Sequence, residues 1–199
     1  MKRPELKRPE LKRPELKAPW AHARWAQGAI AVAALADVYR AVELRADATH
    51  RTDASLSASG TASMVFVYAT TAAAVLFLLW LGRCRRNAEV LAPGAVSASG
   101  VWTVVAWFIP VVNWWVPRRF VLDVERVSAD VSGRPRKEAL VNAWWTVWVA
   151  HSAVSVVAFS VGKGVAVPVL VVAEGLSLGA AVLVIGVVQH LTGLQDRQP

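Results

Sequence analysis

The stretch Met64-Val-Phe-Val-Tyr-Ala-Thr-Thr-Ala-Ala-Ala-Val-Leu-Phe-Leu-Leu-Trp-Leu-Gly82 decides the fold, because it is long, apolar and free of charged residues. An α-helix rises about 1.5 Å per residue, so a helix of this length crosses the roughly 30 Å hydrocarbon core of a bilayer. Arg83, Arg85 and Arg86 follow it at once. The pattern predicts an integral membrane protein built from helices.

Three more apolar stretches complete a predicted all-α integral membrane fold with four transmembrane helices. They are residues 25–44, 139–161 and 165–191. The first is the weakest, because Asp37, Arg40 and Glu43 lie in its second half. An alternative interpretation treats residues 1–25 as the basic region of a signal peptide that is cleaved near Ala34-Leu35-Ala36.

The termini and the first connection are polar. Residues 1–24 are a basic tail that contains the repeat Lys-Arg-Pro-Glu-Leu three times, and its prolines argue against a regular helix or strand. We expect this tail to be disordered. Residues 45–63 are rich in Ser, Thr and Asp and are predicted to be a loop. Residues 192–199 are predicted to be a short C-terminal tail.

A fifth apolar stretch, residues 99–117, is broken by Pro110, and the placement of Lys and Arg predicts how it lies. If it enters and leaves on one face, 18 of the 22 Lys and Arg residues face the cytoplasm; if it crosses, the two sides hold 12 and 10. The positive-inside rule therefore favours a re-entrant or interfacial segment, with both termini cytoplasmic in a multi-pass cell-membrane protein.

Eight of the ten tryptophans lie near the predicted cytoplasmic ends, where their amphipathic rings would anchor the helices at the membrane interface. The segment 118–138, which follows the broken stretch, is charged and would also lie at that face. The spacing of Phe120, Val121, Val124 and Val127 predicts the apolar stripe of a short surface helix in this segment.

Two motifs lie before and within the broken stretch 99–117. They are Leu79-Trp-Leu-Gly-Arg-Cys-Arg-Arg-Asn-Ala88 and Trp107-Phe-Ile-Pro-Val-Val-Asn-Trp-Trp-Val-Pro117. Together with the pair Trp144-Trp145, they resemble the signature of a family of actinobacterial membrane proteins known as domain of unknown function 4328. The resemblance covers about residues 25–191, and it breaks at Arg118-Arg119, where the family commonly has an aromatic residue and a polar amide. It implies an architecture and no established activity.

Asp37, His151 and Glu174 are candidate midplane residues, because each lies within about 3 Å of the centre of its predicted span. An unpaired ionisable side chain in a bilayer costs at least about 2.5 kcal/mol, so such residues are often functional. Together they would suit proton or cation passage. The structural alternative pairs Asp37 with Arg40 and gives His151 and Glu174 packing hydrogen bonds. Convergence of the three side chains would favour transport, and dispersal would count against it.

The predicted cytoplasmic face carries a second candidate motif, which would dock anionic lipid headgroups or an unknown protein partner. Its residues are Arg83, Arg85, Arg86, Asn87, Pro110, Asn113 and Pro117. We therefore predict a membrane interaction or scaffold protein, with a small transporter or channel subunit as the alternative. Gly175 and Gly179 form a small-xxx-small element that predicts close helix packing.

Other function classes find little support. The net charge of +8 flanks apolar runs and does not form a nucleic-acid-binding patch, so no nucleic-acid partner is expected. There is no phosphate-binding loop and no His-Glu-x-x-His motif, and the four histidines are far apart in sequence. We expect no enzyme, no catalytic residue, no cofactor and no metal site.

Overall fold

The computed structural model describes residues 19–96, 100–109, 112–161 and 167–196, and within these ranges the chain is helical and has no strand. Its helices are α1 (Trp20–Thr49), α2 (Asp53–Leu91), α3 (Gly100–Val105), α4 (Val116–Ser132), α5 (Glu138–Val161) and α6 (Val167–Asp196). Helices α2, α5 and α6 contain the segments that are long and apolar enough to cross a membrane: Asp53–Leu91, Glu138–Ala158 and Pro168–Asp196. Residues 1–18, which contain the repeat, lie outside the described residues, but residues 20–24 of the predicted disordered tail are helical, because α1 begins at Trp20.

The predicted loop at residues 45–63 is wrong, because α1 and α2 both extend into it and only residues 50–52 connect them. The N-terminus of α2 is held by a reciprocal pair of hydrogen bonds. The Ser55 N–H donates to Thr52 Oγ1 at 3.0 Å, and the Thr52 N–H donates to Ser55 Oγ at 2.9 Å. This capping box starts a helix within a polar segment. The polar residues of this segment indicate contact with water, and they do not exclude a helix.

The stretch 99–117 does not form one continuous helix in its described part. Helix α3 has six residues, which is a rise of about 9 Å, and the chain turns at residues 106–109. A single 3-10 turn, Val112–Trp114, then leads into α4. Pro110 lies outside the described residues. A helical crossing of this stretch is therefore absent from the described residues, and the re-entrant placement stays a prediction.

The predicted apolar stripe is confirmed in α4, but it lies in a different place from the one predicted. Phe120, Val121 and Val124 are buried, and Val127 packs against the core. The stripe faces α2, α5 and α6 and is covered by them. It is therefore part of the protein interior and not a membrane-surface face. Gly133, with a φ of +64°, ends the helix in a left-handed conformation that glycine adopts without strain.

Part of the tryptophan interpretation is also corrected. The side chains of Trp80, Trp144 and Trp145 are almost completely buried. They join Phe77 and Trp107 in a cluster whose ring centroids lie 5.4 to 5.9 Å apart. Edge and tilted contacts of this kind stabilise a core beyond the area they bury. These rings hold helices together, while Trp20, Trp25, Trp114 and Trp115 are exposed.

Candidate functional site

A cavity of about 420 Å³ lies among α1, α2, α5, α6 and the segment after α3; we call it the central cavity. Its volume falls in the range of about 300 to 1,000 Å³ that is typical of small-molecule sites. Its wall is mainly apolar and rich in aromatic rings: Phe66, Phe77, Trp107, Phe108, Trp144 and Trp148. Its polar lining side chains are Asp37, Thr70, Asn113, His151 and Ser177.

Asp37 is the main charged group of the wall, and its charge is compensated. The carboxylate is only 2% exposed. Arg40 Nη2 donates to Asp37 Oδ1 at 2.6 Å, as the sequence predicted for this pair, and Ser177 Oγ of α6 donates to Asp37 Oδ2 at 2.7 Å. The Arg40 guanidinium also lies 4.3 Å from the centre of the Phe66 ring. Both carboxylate oxygens therefore have partners, and the contacts tie α1 to α6 and α2.

Two of the three predicted midplane residues share the cavity wall, and the third lies within electrostatic range of them. Asp37 and His151 line the same cavity. Glu174 interacts electrostatically with both of them and with Arg40. His151 Nδ1 lies 2.9 Å from the carbonyl oxygen of Ala173, so it donates to the neighbouring helix, as the structural alternative predicted. Glu174 Oε2 is buried and has no hydrogen-bond partner. Asp37 and His151 are therefore engaged in hydrogen bonds between helices.

Two polar atoms of residues that line the cavity are also buried without a partner, whereas Glu174 does not line it. They are Trp107 Nε1, a hydrogen-bond donor, and Asn113 Oδ1, an acceptor. Buried polar groups in proteins nearly always have partners, so these two atoms are exceptions. Asn113 was predicted to belong to a cytoplasmic-face motif, but it lies in the cavity wall.

A second polar cluster joins the C-terminal ends of α2 and α6 to the middle of α4; we call it the α2–α4–α6 junction. Gln195 Nε2 donates to the Cys84 carbonyl oxygen at 2.9 Å and to Ser128 Oγ at 3.0 Å. Asn87 Nδ2 donates to Gln195 Oε1 at 3.0 Å. These side chains are at most 6% exposed. Gln195 was predicted to lie in a tail, but it is part of α6, and its side chain bonds both other helices.

The junction continues through two more contacts. Trp80 Nε1 donates to Thr192 Oγ1 at 3.0 Å. Glu125 of α4 is fully buried, and its Oε1 accepts a hydrogen bond from the Lys137 N–H at 2.6 Å and lies 3.3 Å from His190 Nε2. Glu125 therefore fixes both the loop after α4 and the neighbouring α6 helix.

The sequence reasoning missed Glu125, Gln195, Ser177 and Trp107. One signal was available for Glu125, which stands inside the apolar stripe of α4 between Val124 and Ser128 and could therefore have been placed in the interior. Gln195 and Ser177 gave no such signal, because a single Gln or Ser in an apolar helix is ordinary. Their partners are more than 60 residues away in the chain.

The predicted cytoplasmic-face motif does not form one surface. Asn87 and Pro117 are buried, Arg83 and Arg85 are half-buried, and Arg86 is exposed. Pro110 lies outside the described residues, as does the glycine-lysine-glycine turn at 162–164.

The basic segment 118–138 is also less available than its composition predicted. Arg118 donates two hydrogen bonds to Asn142 Oδ1, and Arg126 forms a bidentate pair with Glu138. Arg136 Nη2 lies 2.7 Å from Asp130 Oδ2, and this hydrogen bond holds the pKa of the exposed Asp130 carboxyl below its ordinary value. Partners within the chain therefore already take up part of the positive charge.

Gly179 and Gly175 differ in their surroundings. A Cβ atom at Gly179 would lie 3.5 Å from the Val147 side chain of α5, whereas a Cβ at Gly175 would meet nothing within 4 Å. Gly179 therefore faces the α5–α6 contact, and Gly175 faces away from the protein interior.

Among the residues that the structure describes, no three His, Cys, Asp or Glu side chains are grouped so that they could hold a metal ion. Cys84 is a buried free thiol.

Comparison with known proteins identifies the family. Residues 43–193 match the family model described as Domain of unknown function (DUF4328). Neither a curated protein nor a solved structure matches the chain. The match covers most of the chain and includes the motifs that carried the resemblance in the sequence. The chain therefore belongs to the family of domain of unknown function 4328.

Proposed function

We propose that this protein binds a small amphipathic molecule inside the membrane, in the central cavity, as the binding step of a small transporter. The observation that supports this most strongly is the cavity itself, which combines an aromatic wall with a few polar groups. Sites for small molecules are typically apolar with a small number of placed polar groups. The proposal involves no chemical change of the ligand, no cofactor and no nucleic acid.

The charge state of the wall favours an amphiphile over an ion. Asp37 already has Arg40 and Ser177 as partners, so the carboxylate has no unmatched charge to offer a cation. We expect the substitutions Glu174→Gln and His151→Ala to leave proton and ion flux into proteoliposomes unchanged. A flux that both substitutions abolished would favour ion transport through the midplane residues instead.

Access to the cavity can be measured by chemical labelling. Ala180 of α6 is buried in the cavity wall, so Ala180→Cys in a Cys84→Ser background should react with a small amphipathic maleimide such as N-cyclohexylmaleimide. Ala73→Phe adds a ring to the facing wall and should slow this labelling at least about fivefold, whereas Ala72→Phe, at an exposed neighbouring position that does not line the cavity, should not. Equal labelling in the two variants, or no labelling at all, would contradict the proposal.

The proposal places the cavity in a bundle of four crossings, with α1 as the first and the stretch 99–117 re-entrant on the cytoplasmic face of the cell membrane. Three residues connect α1 to α2, the two helices pack side by side, and α1 also packs on α6. Its 30 residues rise about 45 Å, which is ample for a bilayer. The exposed large residues of α1 include Val32, Leu35 and Val42, which suit contact with lipid.

Introduced cysteines can test this topology in the same Cys84→Ser background. We expect an impermeant reagent to label position 53 from outside the cell, and positions 22, 130 and 196, which are exposed, only after the membrane is opened. Labelling of position 22 from outside would indicate that α1 does not cross, and labelling of position 130 from outside would contradict the cytoplasmic placement of α4.

A membrane interaction or scaffold role is the second candidate. It is favoured by the exposed Trp115 directly before α4, by Arg119 one turn into that helix, and by Arg86 at the end of α2, all of which remain exposed. Aromatic rings next to arginines suit anionic headgroups. If this role holds, the double variant Arg86→Gln/Arg119→Gln should retain about half as much anionic lipid through purification. Unchanged retention would count against it.

A further inference from the structure

We propose that the central cavity takes its ligand from the lipid bilayer, through a side opening between α2 and α5, and that this ligand is a molecule dissolved in the hydrocarbon core. The inference rests on the proposed binding function and adds the route and the class of molecule. It starts from the exposure of the lining residues. Thr70, Ala74 and Phe108 line the cavity and are exposed, whereas Asp37 and Ala180 line it and are buried. The three exposed residues mark its mouth.

The packing of the helices leaves a gap at the same place. Helix α1 packs on α2 and on α6, and α6 packs on α5. Within the described ranges no comparable packing joins α5 to α2, which meet through the rings of Phe77 and Trp144, with centroids 5.9 Å apart. Residues one and two turns from this contact line the cavity on both sides of the gap: Ala74 and Thr70 on α2, and Trp148 and His151 on α5. The gap between α2 and α5 therefore opens into the cavity.

Aromatic rings close this gap on one side. Trp107 packs between the two helices, with its ring centroid 5.5 Å from that of Phe77 and 5.9 Å from that of Trp145. Phe108, the next residue, lines the cavity and is 74% exposed. The mouth therefore lies beside the aromatic cluster, and Phe108 forms part of its border.

The mouth lies near the middle of the crossing that α2 makes. The apolar run of α2 extends from Met64 to Gly82, so Ala74 lies about 1.5 Å and Thr70 about 4.5 Å along the helix from its centre. Both are at least about 10 Å from the nearer edge of a hydrocarbon core of roughly 30 Å. The large exposed residues next to the mouth on α2 and α3 are apolar: Val67, Val75, Val104 and Val105. Acyl chains, and not water, therefore face the mouth.

This depth determines the class of ligand. A lipid-like molecule is already concentrated at the mouth, because apolar surface moves from water into hydrocarbon with a gain of roughly 25 cal/mol per Å². A charged, water-soluble molecule would first have to enter the hydrocarbon core, and desolvation of its charge opposes this step. The route therefore selects molecules that dissolve in the membrane.

The first measurement is the rate at which N-cyclohexylmaleimide labels the introduced cysteine at position 180, in liposomes and in the background described above. We expect Thr70→Trp and Ala74→Trp each to slow this labelling at least about fivefold, because a bulky ring narrows the mouth. Thr71→Trp and Ala72→Trp are the matched controls and should leave the rate unchanged, since both positions are exposed on α2 and do not line the cavity.

A second measurement identifies the route. The small charged reagent 2-(trimethylammonium)ethyl methanethiosulfonate, applied to both sides of the membrane, should not label position 180, because its charge opposes entry into the hydrocarbon core. It should label a cysteine at position 53, which is exposed at the polar start of α2. Phe108→Ala removes a ring from the border of the mouth, so it should speed labelling by N-cyclohexylmaleimide at least about twofold.

The outcomes separate this inference from the proposed function. Labelling of position 180 by the charged reagent would reveal an entrance from water and overturn the inference, while the binding function would stand. Equal rates in the tryptophan variants and their controls, or an unchanged rate in Phe108→Ala, would place the mouth elsewhere and also overturn it. If N-cyclohexylmaleimide did not react with position 180 at all, the proposed function would fail first.

Discussion

The central cavity and the α2–α4–α6 junction each contain a tryptophan and a side-chain amide, and these groups differ in whether they have hydrogen-bond partners. In the junction, Trp80 Nε1 and both polar ends of Gln195 have partners, and the surrounding side chains leave almost no exposed surface. In the cavity, Trp107 Nε1 and Asn113 Oδ1 have none, although both residues belong to the wall of a space of about 420 Å³. The indole N–H and the amide oxygen therefore bond neighbouring helices in the junction and have no partner in the cavity wall.

This difference in hydrogen bonding indicates which substitutions should lower the free energy of unfolding and which should not. Polar groups that bond across helices stabilise a bundle because each would otherwise be buried without a partner. A buried polar group without a partner costs stability, because folding removes its hydrogen bonds to water and does not replace them. Substitutions in the junction should therefore lower the free energy of unfolding, and those at the two unpartnered atoms should leave it nearly unchanged.

The largest effect on stability is expected for Gln195→Leu. This change removes the hydrogen bonds to Asn87, Cys84 and Ser128 at once, and we expect it to lower the free energy of unfolding by about 2 to 3 kcal/mol. Reversible unfolding in mixed detergent micelles measures this loss. Gln189→Leu, at an exposed position of the same helix, is the matched control and should change the value by less than about 0.5 kcal/mol. Equal losses in the two variants would show that the junction is not a stabilising element.

A smaller effect is expected on the bonded side of the cavity wall, with Ser177→Ala. The substitution removes one hydrogen bond to the Asp37 carboxylate, which keeps Arg40 as its ion-pair partner, so we expect a loss of about 1 kcal/mol in the same assay. Ser160→Ala is the control, because that hydroxyl bonds only the Val156 carbonyl oxygen of its own helix. A loss as large as that of Gln195→Leu would mean that this wall contributes to assembly as strongly as the junction does.

Some features of these two regions could be predicted from the sequence and others could not, for physical reasons. Hydropathy and length identified helices that can cross a membrane, because a crossing requires one long segment of apolar residues. The i to i+3 spacing also predicted the Asp37–Arg40 pair, since the two residues share one helix face. Gln195 and Trp107 acquire their roles from residues on other helices. No local pattern can reveal such partners, nor whether a buried N–H group has one.

Polarity misled the sequence analysis at residues 45–63 and in α4. Ser and Thr were interpreted as loop formers, although Thr52 and Ser55 begin a helix through their caps. The charges of α4 were interpreted as a solvent-facing surface, although they flank a stripe that is covered by three helices. In both cases the composition indicates that the segment contacts water. The fold depends on hydrogen bonds and packing, which composition does not specify.

The smallest effect on the free energy of unfolding is expected from the exposed Asp130–Arg136 pair at the end of α4. This pair tests whether a contact must be buried to stabilise the fold. Its geometry is as good as that of the buried contacts, with 2.7 Å between Arg136 Nη2 and Asp130 Oδ2, but water surrounds both side chains. Arg136 lowers the pKa of Asp130 in the folded protein, so the pair stabilises the fold above the unfolded value of about 3.9. That contribution is lost as the pH falls through the lower folded value.

The unfolding free energy of Asp130→Asn should therefore equal that of the wild type in strong acid and fall only slightly below it near pH 7, where the wild-type pair is charged. Unfolding measured at both pH values, with Asp196→Asn as the exposed control, checks this expectation. Added salt should reduce the small difference at pH 7, because an exposed pair is screened. A loss at pH 7 that matched that of Gln195→Leu would mean that good geometry stabilises without burial. The contrast between the junction and the surface would then have to be explained by the number of contacts, and not by exclusion of water.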